Sequence, residues 1–212
     1  MPMNSPVVSE TTPAPKRSRI QRKNRALILK AGLEVFSQNG FRGATVDMIA
    51  QVAGLSKPNL LYYFHSKEEI YTTILADLLV EWLNPFRMLD PNGDPMDELM
   101  GYIRAKLAMA RDFPQESRLF ATEVIQGAPH IKSVLETDLR ELVEAQSAIL
   151  SKWMDEGRIA RMHPVHLIIT IWALTQHYAD FDAQTRAILS GDDPFPDAAA
   201  HLELLFRKLL TP

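Results

Sequence analysis

A chain of 212 residues without a single cysteine has room for one small head and one larger body with its own core. It cannot be a disulfide framework or bind a metal through thiolates. Its net charge of -3 hides an asymmetry: residues 16–67 carry ten Lys or Arg against Glu34 and Asp47, a balance of +8, whereas residues 68–212 carry thirteen basic and twenty-three acidic side chains, a balance of -10. Positive charge gathered at one end is the footprint of a part that meets phosphates, and the acidic remainder is held off them.

Residues 1–15, MPMNSPVVSETTPAP, contain four prolines and no apolar run, so they read as a disordered tail rather than a signal peptide. A basic arm follows, with Lys16, Arg17, Arg19, Arg22 and Lys23. Ile28, Ala31, Val35 and Phe36 then form the inward stripe of a first helix, which the pair Asn39-Gly40 ends. Thr45 can cap a second helix that carries Ile49 and Ala50 inward, and Gly54 lets the chain leave it in the left-handed conformation. Ser56 caps a third helix, with Pro58 in the first turn, where its missing N–H costs nothing. Over Lys57 to Tyr63 that helix exposes Lys57, Asn59, Tyr62 and Tyr63, side chains suited to phosphates and base edges. Ser66 and Glu69 complete an S-x-x-E capping box at the start of the next helix.

Helix, tight turn, helix and a basic surface together predict a DNA-reading head over residues 16–67. Its candidate contacts are Arg17, Arg19, Arg22, Thr45, Ser56, Lys57, Pro58, Asn59, Tyr62, Tyr63 and Lys67.

From residue 68 to 212 the periodicity stays helical, so the fold class is all-α, a three-helix helix-turn-helix head followed by a helical body for ligand binding and dimerisation. The helix after Ser66 runs through Tyr71, Ile74, Leu75 and Leu78 toward Trp82, and Pro85 marks its end or a kink. DPNGDPMD at 90–97 is a loop. Helices follow from Met96 to about Arg111, from Pro114 through Arg118, Leu119, Phe120 and Val124, and from Ile131 to Glu156 with Leu135, Leu142, Ile149 and Trp153 inside. Pro164 opens an apolar helix to about Tyr178, and a last amphipathic helix carries Leu202, Leu205, Phe206 and Leu209. The longest uncharged apolar stretch, Val165 to Ala179, holds two histidines and falls short of a bilayer span, so no membrane association and a cytoplasmic location are expected.

Ile169, Trp172 and Gln176 fall on one stripe of the Pro164 helix. A glutamine amide can pair with the N–H and C=O edge of a pyrimidine while an indole covers its face. From the residues alone, packing is the commoner explanation of such a stripe, with Gln176 satisfied by backbone. Trp82 is equally a pocket or a core residue. His163, His166 and His177 with Asp180 and Asp182 could suggest a metal or an acid-base set, but His166 and His177 stand three helical turns apart, so neither a metal nor a cofactor is expected. No nucleophile motif or phosphate loop appears. The competing class is a helical hydrolase or ligand carrier with an incidental basic head, which would turn over its ligand rather than retain a duplex.

Ile28, Ala31 and Phe36; Thr45, Ile49 and Ala50; Ala53, Gly54, Leu55 and Ser56; and Phe64, Ser66, Lys67 and Glu68 together resemble the head motifs of the TetR family of bacterial transcription regulators. The match covers about residues 22–71. It departs at Leu60-Leu61-Tyr62-Tyr63, where members commonly carry Leu-Tyr-x-His. LLYYF at 60–64, SRLF at 117–120, GAP at 127–129 and IWALTQHYADF at 171–181 further resemble the pyrimidine-responsive members of that family. This resemblance implies a homodimer that represses its operon from a palindromic operator until uracil or thymine binds, with Trp172 and Gln176 in the ligand site. A more lipophilic effector, as for an efflux or catabolic operon, is the alternative within the family.

Overall fold

Helix follows helix through residues 19–212, the part that the computed structural model describes, and no strand occurs among those residues. Lys16 and Arg17 lie outside the described residues. The first helix, α1 (Arg19–Gly43), takes in Arg19 and Arg22, so these two cations sit on a helix rather than on an extended arm. Nothing in RIQRKNRA opposes helix, since it is built of good helix formers with no Pro or Gly. At Gly40 the backbone turns to φ 64, ψ 172, which breaks α1 where the sequence predicts its end.

Local chemistry sets the next three helices. Thr45 accepts from the Met48 N–H to start α2 (Val46–Ala53), and Gly54 closes it in the left-handed conformation. Ser56 accepts from Asn59 N–H to start α3 (Lys57–Tyr63). Ser66 accepts from Glu69 N–H at the head of α4 (Lys67–Arg87). The capping box is altered in one respect: Glu69 Oε2 accepts from the His65 N–H at 2.7 Å, one residue upstream of the expected donor. Pro85 neither ends nor breaks α4, because it falls in the final turn.

The body continues with α5 (Pro95–Asp112), α6 (Pro114–Ile125), α7 (Lys132–Val134), α8 (Arg140–Asp155), α9 (Pro164–Asp180), α10 (Asp182–Ile188) and α11 (Phe195–Leu210). A π turn over Leu135–Leu139 joins α7 to α8, so the expected single helix from Ile131 contains one wide turn. The seven-residue α10 has no sequence expectation behind it, for its only buried side chain is Thr185 and no apolar stripe announces it.

Two buried clusters organise the chain, and α4 runs through both. Ile70, Tyr71, Ile74, Leu75 and Leu78 belong to the cluster around the head, which also takes Leu119, Ala128 and Ile131 from the body. Phe86 belongs to the body cluster, with Leu99, Ile103, Trp153, Ile168, Ile171 and Phe206. Between them, Leu79, Trp82 and Leu83 line a cavity. The helix is thus a shaft that connects the DNA head, the cavity and the body core.

Candidate DNA interface and effector cavity

On the head, Leu60 of α3 is buried, and Ser56, Lys57, Pro58, Asn59 and Tyr62 are exposed together. Thr45 is also exposed while its hydroxyl caps α2. Tyr62 is 68% exposed. Tyr63 is half-buried and accepts a hydrogen bond from Asn24 Nδ2 at 2.9 Å, which fixes its phenol against α1. The rings of the two tyrosines meet edge to face at 5.1 Å. Lys57 Nζ lies 2.8 Å from Asp47 Oδ2, and both side chains are largely in solvent. A pair of this kind is worth little, so a phosphate can take the ammonium over.

Lys67 is placed otherwise. Its ammonium donates to the carbonyls of Phe41 and Ala44 at 2.8 and 2.9 Å and lies over the Phe41 ring, so it ties α4 to the end of α1. Arg19 and Arg22 remain exposed on α1, on the side of the chain that carries the basic excess.

The body holds an open-sided cavity of about 720 Å³ lined by α4, α5, α6, the π turn and α9, within the usual size range of small-molecule sites. All three sequence candidates for ligand binding, Trp82, Trp172 and Gln176, lie in its wall. Trp82 packs edge-on against Phe120 at 5.5 Å. The indole N–H of Trp172 donates to the Tyr102 hydroxyl at 2.6 Å, and Tyr102 stacks on Phe86, so the indole plane is held from behind. Burial pushes the Tyr102 phenol well above its ordinary range and keeps it neutral. Gln176 is half-buried, and among the described residues its amide has no hydrogen-bond partner.

Of the other wall residues, the sequence reading takes none of Lys106, Arg118 and Phe120 as a ligand candidate, and it weighs Asp180 only beside the histidines. Lys106 had a visible signal, because it interrupts the buried apolar stripe of Leu99, Ile103, Leu107 and Ala110 on α5. Desolvation lowers its ammonium to about 8, against a smaller opposite pull from Asp180. Burial raises the Asp180 carboxyl, partly countered by the hydroxyl of Ser117, which donates to it.

One helix joins cavity and head. Phe120, Thr122 and Val124 of α6 face the cavity, while Glu123, only 2% exposed, faces the head. Its carboxylate accepts from the Tyr71 hydroxyl at 3.1 Å and from the His130 N–H at 2.7 Å. The His130 ring lies 4.3 Å from Phe41 of α1 and 5.1 Å from Tyr71. The Glu123 carboxylate is thus a buried polar joint that ties α6 to α4, and the His130 ring carries the contact on to α1.

Two family models together cover most of the chain and meet within α4. Residues 28–74 match the model of bacterial regulatory proteins of the tetR family, and residues 75–212 match that of the YcdC-like protein C-terminal region. The chain belongs to the TetR family. It is 45% identical over 173 residues to the HTH-type transcriptional regulator RutR of Escherichia coli (strain K12), covering 82% of each chain. It is 33% identical over 153 residues to the HTH-type transcriptional repressor NicS of Pseudomonas putida, covering 70% of this chain and 69% of the other. Among solved structures, a bacterial regulatory protein in the tetR family from Rhodococcus RHA1 superposes with a TM-score of 0.71 at 22% identity, over 90% of this chain and 98% of that one. TetR family members are DNA-binding transcription regulators, and this chain is one, with a helix-turn-helix head and a helical body.

Proposed function

We propose that the chain is a homodimeric repressor that leaves its palindromic operator when a pyrimidine base, uracil or thymine, enters the body cavity, and that it controls pyrimidine catabolism. The observation that carries this reading is the convergence of two indoles, Trp82 and Trp172, with the unpartnered Gln176 amide in one cavity. A flat ring fits between aromatic faces, and its N–H and C=O edge supplies what a glutamine lacks. The identity to RutR, a pyrimidine-utilisation regulator, supports the same choice. On the DNA side, α3 enters the major groove with Ser56, Lys57, Pro58, Asn59 and Tyr62, while Thr45, Arg19, Arg22 and Tyr63 steady the flanking backbone and Lys67 holds α4 against the end of α1. The segment with Arg17 adds a phosphate contact. Two heads reach successive half-sites when spaced about one duplex turn, roughly 34–36 Å.

Ligand pressing on Phe120 and Trp82 shifts α6 and α4 and resets that spacing. Whatever factor the ligand takes from DNA affinity, DNA takes from ligand affinity. The volume of the cavity and its apolar wall favour a second reading, a bulky lipophilic effector of an efflux or catabolic operon. Calorimetry separates the two. Uracil or thymine is expected to release heat with the wild type, and Gln176→Ala to weaken binding by about 5- to 150-fold and hold the protein on its operator. No heat with either base, but a response to a large apolar compound, overturns the pyrimidine reading.

A further inference from the structure

The first turns of α1 lay four side chains, Gln21, Asn24, Arg25 and Ile28, toward the end of α3, at a spacing that puts them on one face of the helix. Ile28 is buried in one cluster with Leu60, and the Arg25 guanidinium lies 4.1 Å from the centre of the Phe64 ring. On the same face two amides meet two phenols. Asn24 Nδ2 donates to the Tyr63 hydroxyl oxygen at 2.9 Å, and Gln21 Nε2 donates to that of Tyr62 at 3.4 Å. In both contacts the phenol is the acceptor, and among the described residues neither phenolic proton has an acceptor of its own. A phenol keeps its O–H in the ring plane on one of two sides, so a donor seated on one side sends the proton to the other.

We propose that Asn24 is a positioning residue for DNA binding: it holds the Tyr63 ring and turns the phenolic proton away from α1, so that Tyr63 meets the duplex as a hydrogen-bond donor to a phosphate oxygen. The inference rests on the reading of Tyr63 as part of the DNA surface and goes beyond it by naming the group that sets the polarity of the contact. A phosphate oxygen only accepts. A phenol whose proton pointed into the protein would offer it lone pairs, whereas an outward proton makes a charge-assisted bond. The amide also fixes the ring before the duplex arrives, which reduces what binding must order. Tyr62, whose ring meets that of Tyr63 edge to face, receives the Gln21 amide in the same sense, about one turn earlier in α1.

The test uses a duplex that the full wild-type chain selects from a random-sequence library, titrated over a range of salt with Tyr63→Phe, Asn24→Ala, Asn24→Asp and the double variant Asn24→Ala with Tyr63→Phe. We expect Tyr63→Phe to weaken binding about 10-fold, Asn24→Ala about 3- to 10-fold, and the double variant no more than Tyr63→Phe alone. In these three the slope of log affinity against log salt should stay as in the wild type, because no cation is lost. Asn24→Asp, whose carboxylate accepts the phenolic proton and draws it inward, should bind more weakly than Asn24→Ala. Each variant is compared below its melting temperature, and should Asn24→Ala not fold, Asn24→Leu keeps the bulk without the donor and takes its place. Additive losses in the double variant, or Asn24→Asp binding as tightly as Asn24→Ala, overturn the role of Asn24. Tyr63→Phe binding like the wild type overturns the phosphate contact and leaves the repressor reading in place. A wild-type chain that retains no duplex overturns both.

Discussion

The head and the body handle polar side chains in opposite ways. The head turns them outward or ties them off within a few residues: Thr45, Ser56 and Ser66 each cap the helix that starts beside them, and Lys57 pairs in solvent. The body also turns some inward, and in the cavity wall Gln176 and Lys106 have no hydrogen-bond partner among the described residues. A surface that must meet a long, regular polyanion can be stable by itself, whereas a cavity that must recognise a small molecule keeps unmet hydrogen-bonding capacity until the ligand arrives. Helix α4 belongs to both regions, and in the proposed function it is the element that carries an event in the second to the first.

The contrast can be broken most strongly at the body surface. Leu204 and Leu209 of α11 are 56% and 41% exposed, with Leu205 beside them, and Ile169 of α9 is exposed as well. If this apolar face joins two copies, Leu205→Glu should sediment as a monomer and lose about 10²- to 10⁴-fold in operator affinity, the gain that two linked heads provide. A dimeric variant would remove α11 from the interface.

A smaller effect tests whether α1 belongs to the DNA surface. Replacing Arg19 and Arg22 by glutamine should reduce the slope of log affinity against log salt by about 0.9 for each phosphate that the variant no longer neutralises. An unchanged slope places these cations off the duplex.

The smallest effect probes the inward charge itself. Folded, Lys106 titrates at about 8, below its ordinary 10.5. Between those values the unfolded chain binds the extra proton, so the stability of the wild type rises with pH relative to Lys106→Met, by about 1 kcal/mol from pH 8 to 9. Urea midpoints at the two pH values measure it. A constant difference would mean that the ammonium is solvated.

The sequence made the head legible because its determinants are local: a hydroxyl three residues before the N–H it caps, a glycine where the chain reverses. It also brought Trp82, Trp172 and Gln176 to notice, and the structure gathers them in one cavity. What it withheld depends on chain segments far apart. Tyr71 and Glu123 are 52 positions apart, and no periodicity announces their bond. Lys67 resembled a phosphate contact until the carbonyls of Phe41 and Ala44 were seen beneath it. Lys106 stood in plain view as a charge within an apolar stripe, but only packing shows that its end opens on the cavity.

The wide turn at Leu135–Leu139 acts as a phase adapter. One extra residue in a turn rotates everything before it by roughly 100° relative to an unbroken helix. With that offset, Ile131 before the turn is buried in the cluster around the head, Leu135 at its start packs against that cluster and also borders the cavity, and Leu139 at its end borders the cavity. Removing any one residue of the turn would keep nearly all the apolar content and still point Ile131 elsewhere. Among relatives, a single-position gap in this segment therefore records a change of orientation between two working surfaces, and not the trimming of a dispensable loop.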